Sequence, residues 1–176
     1  MLVISGSTRS ASTNTALCRT AVLCAPVDVV VEYYSAISSL PHFNPDDDHD
    51  PLPREVAHLR STIAAVDAVL FCTPEYAGTL PGSLKNLLDW TVSGTELSGK
   101  PVAWVHVAAD QRRGHGAHAT LATVLGYVHA RVIDAACRHI PIVHDAVGPG
   151  GVITDSAART QIAATIETLL DALPRR

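Results

Sequence analysis

Short runs of Val, Ile, Leu and Ala alternate along this chain with stretches whose apolar residues recur every three or four positions, and that alternation constrains the fold more than any other feature. Strand-like runs occupy residues 1–5, 27–34, 68–73, 102–108 and 132–143, and helical spacing marks 13–24, 54–65, 82–90, 117–130 and 156–173. The strand runs carry little polar alternation, as strands do when helices cover both faces of a sheet. In the last helical stretch Ile162, Ile166, Leu169 and Leu170 share one face. There is no repeat at solenoid or propeller period, and no linker long enough to separate a pair of domains. The pattern predicts one α/β domain over residues 1–176 with a doubly wound, five-stranded parallel sheet.

Composition then narrows the function classes. Apolar residues make up 47% of the chain and charged residues 17%, which excludes a disordered, solvated chain. Thirteen Lys and Arg stand against seventeen Asp and Glu, for a net charge of -4, and aromatic residues are only 5%. A nucleic-acid binder wants a basic surface and stacking rings, so no nucleic-acid partner is expected. Cys18, Cys24, Cys72 and Cys137 form no Cys-x-x-Cys pair and read as reduced thiols of a cytoplasmic protein. No apolar stretch is long enough for a membrane span or a signal-peptide core, so no membrane association is expected.

Two irregular segments interrupt the alternation. Residues 40–53 hold four prolines and the acidic run Asp46 to Asp50, broken by His49; the glycine and bidentate glutamate of a calcium loop are missing, and a solvated connection is the reading. The segment 146–151, Ala-Val-Gly-Pro-Gly-Gly, reads as a turn.

The loop after the first strand reads Gly6-Ser7-Thr8-Arg9-Ser10-Ala11-Ser12-Thr13-Asn14 and runs straight into a helix. Unpaired N–H groups and the positive end of a helix dipole attract an anion there. The clustered hydroxyls add donors, and Arg9 can grip two oxygens with its planar fork. Capping by Ser12 or Thr13 would explain one hydroxyl but not the cluster. The glycines do not fall at G-x-G-x-x-G, and G-x-x-x-x-G-K-[ST] is absent, which disfavours a dinucleotide site and a triphosphatase. A phosphatase of this topology would want a nucleophilic cysteine at the start of the loop, where Ser5 and Gly6 stand. A mononucleotide phosphate suits the loop, with flavin mononucleotide (FMN) the leading candidate.

After the third strand comes Thr73-Pro74-Glu75-Tyr76-Ala77-Gly78-Thr79-Leu80-Pro81-Gly82-Ser83-Leu84-Lys85-Asn86-Leu87-Leu88-Asp89-Trp90. Together with Gly6-Ser7-x-Arg9-x-x-Ser12-x-Asn14, this segment resembles the NADPH-dependent FMN reductase family, which includes quinone and chromate reductases. The resemblance implies a flavodoxin-like fold with sheet order 2-1-3-4-5. It implies that Ser7, Arg9, Ser12, Thr13 and Asn14 hold the flavin phosphate, and that Pro74, Glu75, Tyr76, Ala77 and Gly78 border the isoalloxazine, with Ala108 in the loop beyond the fourth strand. Ala77 departs from the family's usual Asn and Thr79 from its Ser, and Val107 and Ala108 replace a serine often found near the flavin. Glu75 is assigned loop shaping, since hydride transfer at flavin N5 needs no general base. His115 and His118 have no third ligand nearby and read as bordering the substrate pocket rather than a metal.

The resemblance implies an FMN-dependent NAD(P)H oxidoreductase. Hydride from NADPH or NADH would pass through N5 to a quinone, a flavin or another small acceptor, by ping-pong kinetics. The alternatives are a flavodoxin-like electron carrier without nicotinamide turnover, and a flavin reductase supplying a partner monooxygenase. The apolar surplus of Leu84, Leu87 and Leu88 with Leu121, Val124, Leu125 and Val128 predicts a homodimer, or a tetramer built from it, in which the second subunit walls the flavin.

Overall fold

The structure, a computed structural model, describes residues 1–110 and 112–174. Gln111, inside the loop 108–116, and the terminal Arg175 and Arg176 lie outside the described residues. Strand β1 (Leu2–Ser5) leads through the first loop into α1 (Thr13–Leu23), and β2 (Glu32–Tyr34) and α2 (Arg54–Ala64) follow. Next come β3 (Val69–Cys72), α3 (Gly82–Asp89), β4 (Pro101–His106) and α4 (His115–Tyr127). The chain closes with β5 (Arg131–Val132), β6 (Arg138–His139) and α5 (Ser156–Asp171). All strand pairs are parallel, in the order β2-β1-β3-β4-β5, with β6 also on β4.

Side-chain alternation along the strands divides the core into a pair of layers. Val3, Leu70, Cys72, Ala103 and Val105 face α1 and α5, packing on Leu17, Ala21, Ile162 and Ile166. Their neighbours Leu2, Ile4, Val69, Phe71 and Val102 face the other way, against Leu59, Leu84, Leu88 and Leu121 of α2, α3 and α4. Both layers are dry, so the strands need apolar residues at every position, and this is why they read as runs rather than as alternating patterns.

Two strand expectations are corrected. The run 27–34 contributes only Glu32–Tyr34, whose ladder with β1 begins where Leu2 pairs with Glu32; ahead of it the two segments meet through the Met1 amino group, which donates to Val30 O at 2.8 Å. Val27 and Val30 are left exposed. The run 132–143 splits into two short strands on one partner. Between Val132 and Arg138 this segment advances six residues while β4 advances three, from Val102 to Val105, and the surplus coils into a 3-10 turn at Asp134–Ala136. The sheet thus has six strand segments where five were expected, with the same order of positions.

Candidate functional site

Three loops meet beyond the carboxyl ends of β1, β3 and β4, where ligands bind in open α/β sheets. The first loop is held by its own hydroxyls. Ser12 caps α1, its Oγ accepting from the Thr15 N–H at 3.0 Å and donating to Thr15 Oγ1 at 2.8 Å. Ser7 Oγ accepts from the Arg9 N–H at 3.2 Å, and Ser5 Oγ accepts from the Ser7 N–H at 3.2 Å. These bonds curl residues 5–12 around the helix start. Thr13 and Asn14 occupy the first turn of α1, whose N–H groups have no preceding carbonyl to bond and so point outward as donors. Arg9 is exposed, its Nη2 donating to Ala11 O at 3.3 Å, and is the cation of this loop.

The first loop and the β3 loop approach closely at Gly6. A Cβ there would lie 2.3 Å from Thr73 Oγ1, so only glycine fits. Cys72, last residue of β3, donates its thiol to Asn14 Oδ1 at 3.3 Å. Burial among apolar neighbours pushes that thiol well up, so it stays protonated and inert.

The β3 loop is a two-residue reverse turn. Tyr76 and Thr79 exchange backbone hydrogen bonds of 3.0 and 3.1 Å, and between them Ala77 and Gly78 have φ of 50° and 76°. Two positive φ values in succession are the type I′ arrangement, natural to Asn-Gly; Ala77 holds the first position without asparagine's tolerance of it. Glu75 anchors the turn. Its Oε2 accepts from the Gly116 and Ala117 N–H groups at 2.8 and 3.2 Å, capping α4, whose own first flank, Gly114, has no side chain to do so. Thr79 and Thr120 hydroxyls meet at 2.9 Å. A Cβ at Gly116 would strike Gly78 O at 2.0 Å, so the turn lies directly on the first turn of α4.

A cavity of about 380 Å³ opens between these loops. Of the residues expected at the site, Thr13, Asn14, Pro74, Glu75, Tyr76, Ala77, Gly78 and Ala108 line it, whereas Ser7, Arg9 and Ser12 stand beside it in the first loop. Val107, placed near the flavin together with Ala108 by the sequence, also lines the cavity; sequence reasoning missed three lining residues of the third loop and its strand, His106, Arg113 and Gly114. Gly114 gave only a weak signal: with a second glycine, Gly116, close behind, it is the N-cap of α4, a position glycine tolerates but marks less clearly than Ser, Thr, Asp or Asn. Its φ of 92° lets the backbone close over His106, whose Nε2 a Cβ at Gly114 would meet at 2.3 Å. His106 is 7% exposed, its Nε2 has no hydrogen-bond partner among the described residues, and burial and the neighbouring His139 and His115 hold its pKa below the usual histidine value. The arrangement combines outward N–H donors and a guanidinium at one end with a slot walled by a rigid turn at the other. That is the donor set for a phosphate monoester joined to a flat ring.

Known proteins resemble this chain in sequence and in fold. Residues 1–145 match the family model described as NADPH-dependent FMN reductase. An NAD(P)H-dependent FMN reductase of Pseudomonas aeruginosa is 32% identical over 171 residues, 96% of this chain and 92% of that protein. A quinone reductase of Pseudomonas putida is 32% identical over 142 residues, covering 79% of this chain and 73% of its own length. Among solved structures, FerB of Paracoccus denitrificans, a flavoenzyme NAD(P)H:(acceptor) oxidoreductase, superposes with a TM-score of 0.81 at 26% identity, covering 98% of each chain. A WrbA-like flavodoxin of Agrobacterium tumefaciens, with a TM-score of 0.63 at 11% identity, shares the fold. The two loops carrying the sequence resemblance are two of the three that meet at the cavity, both lie within the matched residues, and the chain belongs to the NADPH-dependent FMN reductase family, a family of flavin- and nicotinamide-using oxidoreductases.

Proposed function

We propose that this chain is an FMN-dependent NAD(P)H oxidoreductase that passes hydride to quinones, flavins or other small acceptors in two half-reactions at one open face. The observation that carries the reading is the meeting of an anion-ready helix start with a rigid two-residue turn across one cavity. FMN, when bound, supplies the hydride-accepting and hydride-donating atom, N5. The protein's residues do the rest. The Thr13 and Asn14 amides, the Ser7 hydroxyl and Arg9 would hold the phosphate by charge-assisted hydrogen bonds, while Ser12, its hydroxyl proton spent on Thr15 Oγ1, positions the helix start. Pro74, Tyr76, Ala77 and Gly78 border the ring, with backbone donors of the turn facing its polar edge, and Ala108 closes the third side. Glu75 does not touch the chemistry, because its carboxylate is committed to the α4 amides.

Quinone-type acceptors, being flat and small, fit a loop-walled slot whose charged lining residues are Arg113 and Glu75, the latter held by the α4 amides. The reading puts the protein in the cytoplasm, where reduced nicotinamide is made and buried thiols such as Cys72 stay reduced. A twofold homodimer belongs to the same proposal, but its basis changes. Leu84, Leu87, Leu88, Leu121 and Leu125 are fully buried in the subunit's own core and supply no surplus. What α4 leaves outside is the uncharged face of Ala119, Ala122, Thr123 and Gly126 with Tyr127 at 82% exposure.

The test is a fluorescence titration of flavin-free protein with FMN and with riboflavin. FMN should bind at least tenfold more tightly, the scale of one or two charge-assisted bonds to the phosphate. Equal affinity would remove the phosphate site and with it the assignment.

A further inference from the structure

A second cavity, about 600 Å³ in volume, lies across the end of β4 from the first, and His106 lines both. His106 ends β4 and stacks on His139 of β6, the ring centroids 4.6 Å apart at 25°. The pair reaches both ends of the third loop. His139 Nε2 lies 2.7 Å from Ala108 O; a carbonyl only accepts, so that nitrogen carries a proton and donates it. His106 supports the other end. A Cβ at Gly114 would lie 2.3 Å from its Nε2, 2.4 Å from Cδ2 and 2.7 Å from Cε1, so the outer edge of the ring rests against the glycine. Ala108 and Gly114 both line the first cavity, and neither carries a polar side chain of its own to fix it there.

The surroundings of His106 accept an imidazole only while it is neutral. Its Nε2 is covered by Gly114 and has no hydrogen-bond partner among the described residues, and the same is true of partners for His118 Nε2. The ring of His118, on α4, stands edge-on to it at 5.1 Å. His106 shares the second cavity with His115 of α4, Arg138 and His139 of β6 and Arg112 of the third loop, and the first with Arg113. The nearby carboxylates are committed: Glu75 accepts from the Gly116 and Ala117 amides, and Asp110 pairs with Arg112 at 3.3 Å. The Cys137 thiol, also on the second cavity, is pushed up to about 11 by burial and stays neutral. A proton added to His106 would make a buried cation among cations, with an N–H that finds no acceptor.

We infer that His106 and His139 are positioning residues for the flavin: His139 holds Ala108 by its carbonyl, His106 props Gly114, and together they fix both ends of the third loop beside the ring only while His106 is uncharged. The inference rests on the oxidoreductase reading, which seats FMN in the first cavity, and adds to it a grip on the flavin that weakens in acid. Linkage gives the direction. Burial, His139 and His115 lower His106, with Glu75 opposing; burial, His106, His115 and His139 hold His118 down to about 4, with Glu75 again opposing. In water both rings would titrate at the ordinary 6.5, so an arrangement with the rings turned out binds more protons than the packed one. The second cavity gives them room to turn into. The packed arrangement therefore has its full stability above 6.5 and loses it as the pH falls from there toward 4.

The experiment is a fluorescence titration of flavin-free protein with FMN and with riboflavin from about pH 7.5 to about pH 5, with circular dichroism at each pH to confirm an intact fold. Riboflavin decides, because the phosphate of FMN takes up a proton of its own at about pH 6. Riboflavin affinity should fall about tenfold across the series. His106→Leu, which fills the space without titrating, should reduce that fall to about threefold or less. At about pH 7.5 His139→Leu should weaken both flavins about fivefold, and His139→Gln, whose amide can donate to Ala108 O, should recover most of the loss. Should His106→Leu fail to fold, the riboflavin series and the two His139 variants decide. A pH dependence present with FMN and absent with riboflavin belongs to the phosphate and would overturn the inference while leaving the FMN site standing. A His106→Leu protein that follows the parent's pH curve would overturn it too, as would equal affinities of His139→Leu and His139→Gln. Binding of neither flavin at any pH would remove the oxidoreductase reading and the inference together.

Discussion

Ala77 shows how one residue can be at odds with its own turn. Its φ of 50° lies in the left-handed region, which costs a Cβ-bearing residue on the order of 1 kcal/mol and costs asparagine or glycine less. Ala77→Asn should therefore stabilise the fold by roughly 0.5–1 kcal/mol in chemical denaturation, without changing the slope of the transition. A destabilised Ala77→Asn protein would mean that the turn is not the type I′ form. Arg9 poses the opposite case, an exposed side chain with one weak internal contact and no structural duty. Arg9→Ala should leave stability within about 0.5 kcal/mol and weaken FMN by roughly 1.5–3 kcal/mol. An unchanged dissociation constant puts the guanidinium outside the phosphate site.

Between elements, Glu75 is the tie that matters most, because it caps a helix that is more than forty positions along the chain. Replacing it with alanine leaves the Gly116 and Ala117 N–H groups without their acceptor and releases the 74–79 turn. Glu75→Ala should cost about 1–2 kcal/mol of stability and loosen FMN binding, with Glu75→Gln intermediate in both. A variant that loses stability but keeps full flavin affinity would show that the turn holds its shape unaided. This long-range contact was not legible in the sequence, where Glu75 could be assigned loop shaping but not a partner. Local signals were legible: the start of α1 follows from Ser12 and the helical spacing after it, and the starts of α2, α3 and α5 fall at the residues expected. The split of the last strand was not, because apolar content marks Ile133, Ala136 and Ile140 as buried without saying that three residues must leave the ladder to stay in register with β4. His106 was hidden for a related reason. A single histidine ending an apolar strand gives no periodic signal, and its placement between two cavities depends on Gly114 folding over it.

At the scale of the whole molecule, the sheet delivers three loops to one rim, and both cavities lie there on either side of β4. The uncharged outer face of α4 runs from that rim to Tyr127 at the far end of the helix. Sedimentation at micromolar protein should give twice the chain's 18.6 kDa, and Tyr127→Glu should shift it to monomer with weakened flavin affinity. A fully active monomer would show that one subunit suffices. The central claim concerns electrons, and anaerobic titration of the FMN-loaded protein with NADPH tests it most directly. The flavin's visible band should bleach with one NADPH per flavin and return in full when a quinone is added without oxygen. A band that neither NADPH nor NADH bleaches would contradict the account.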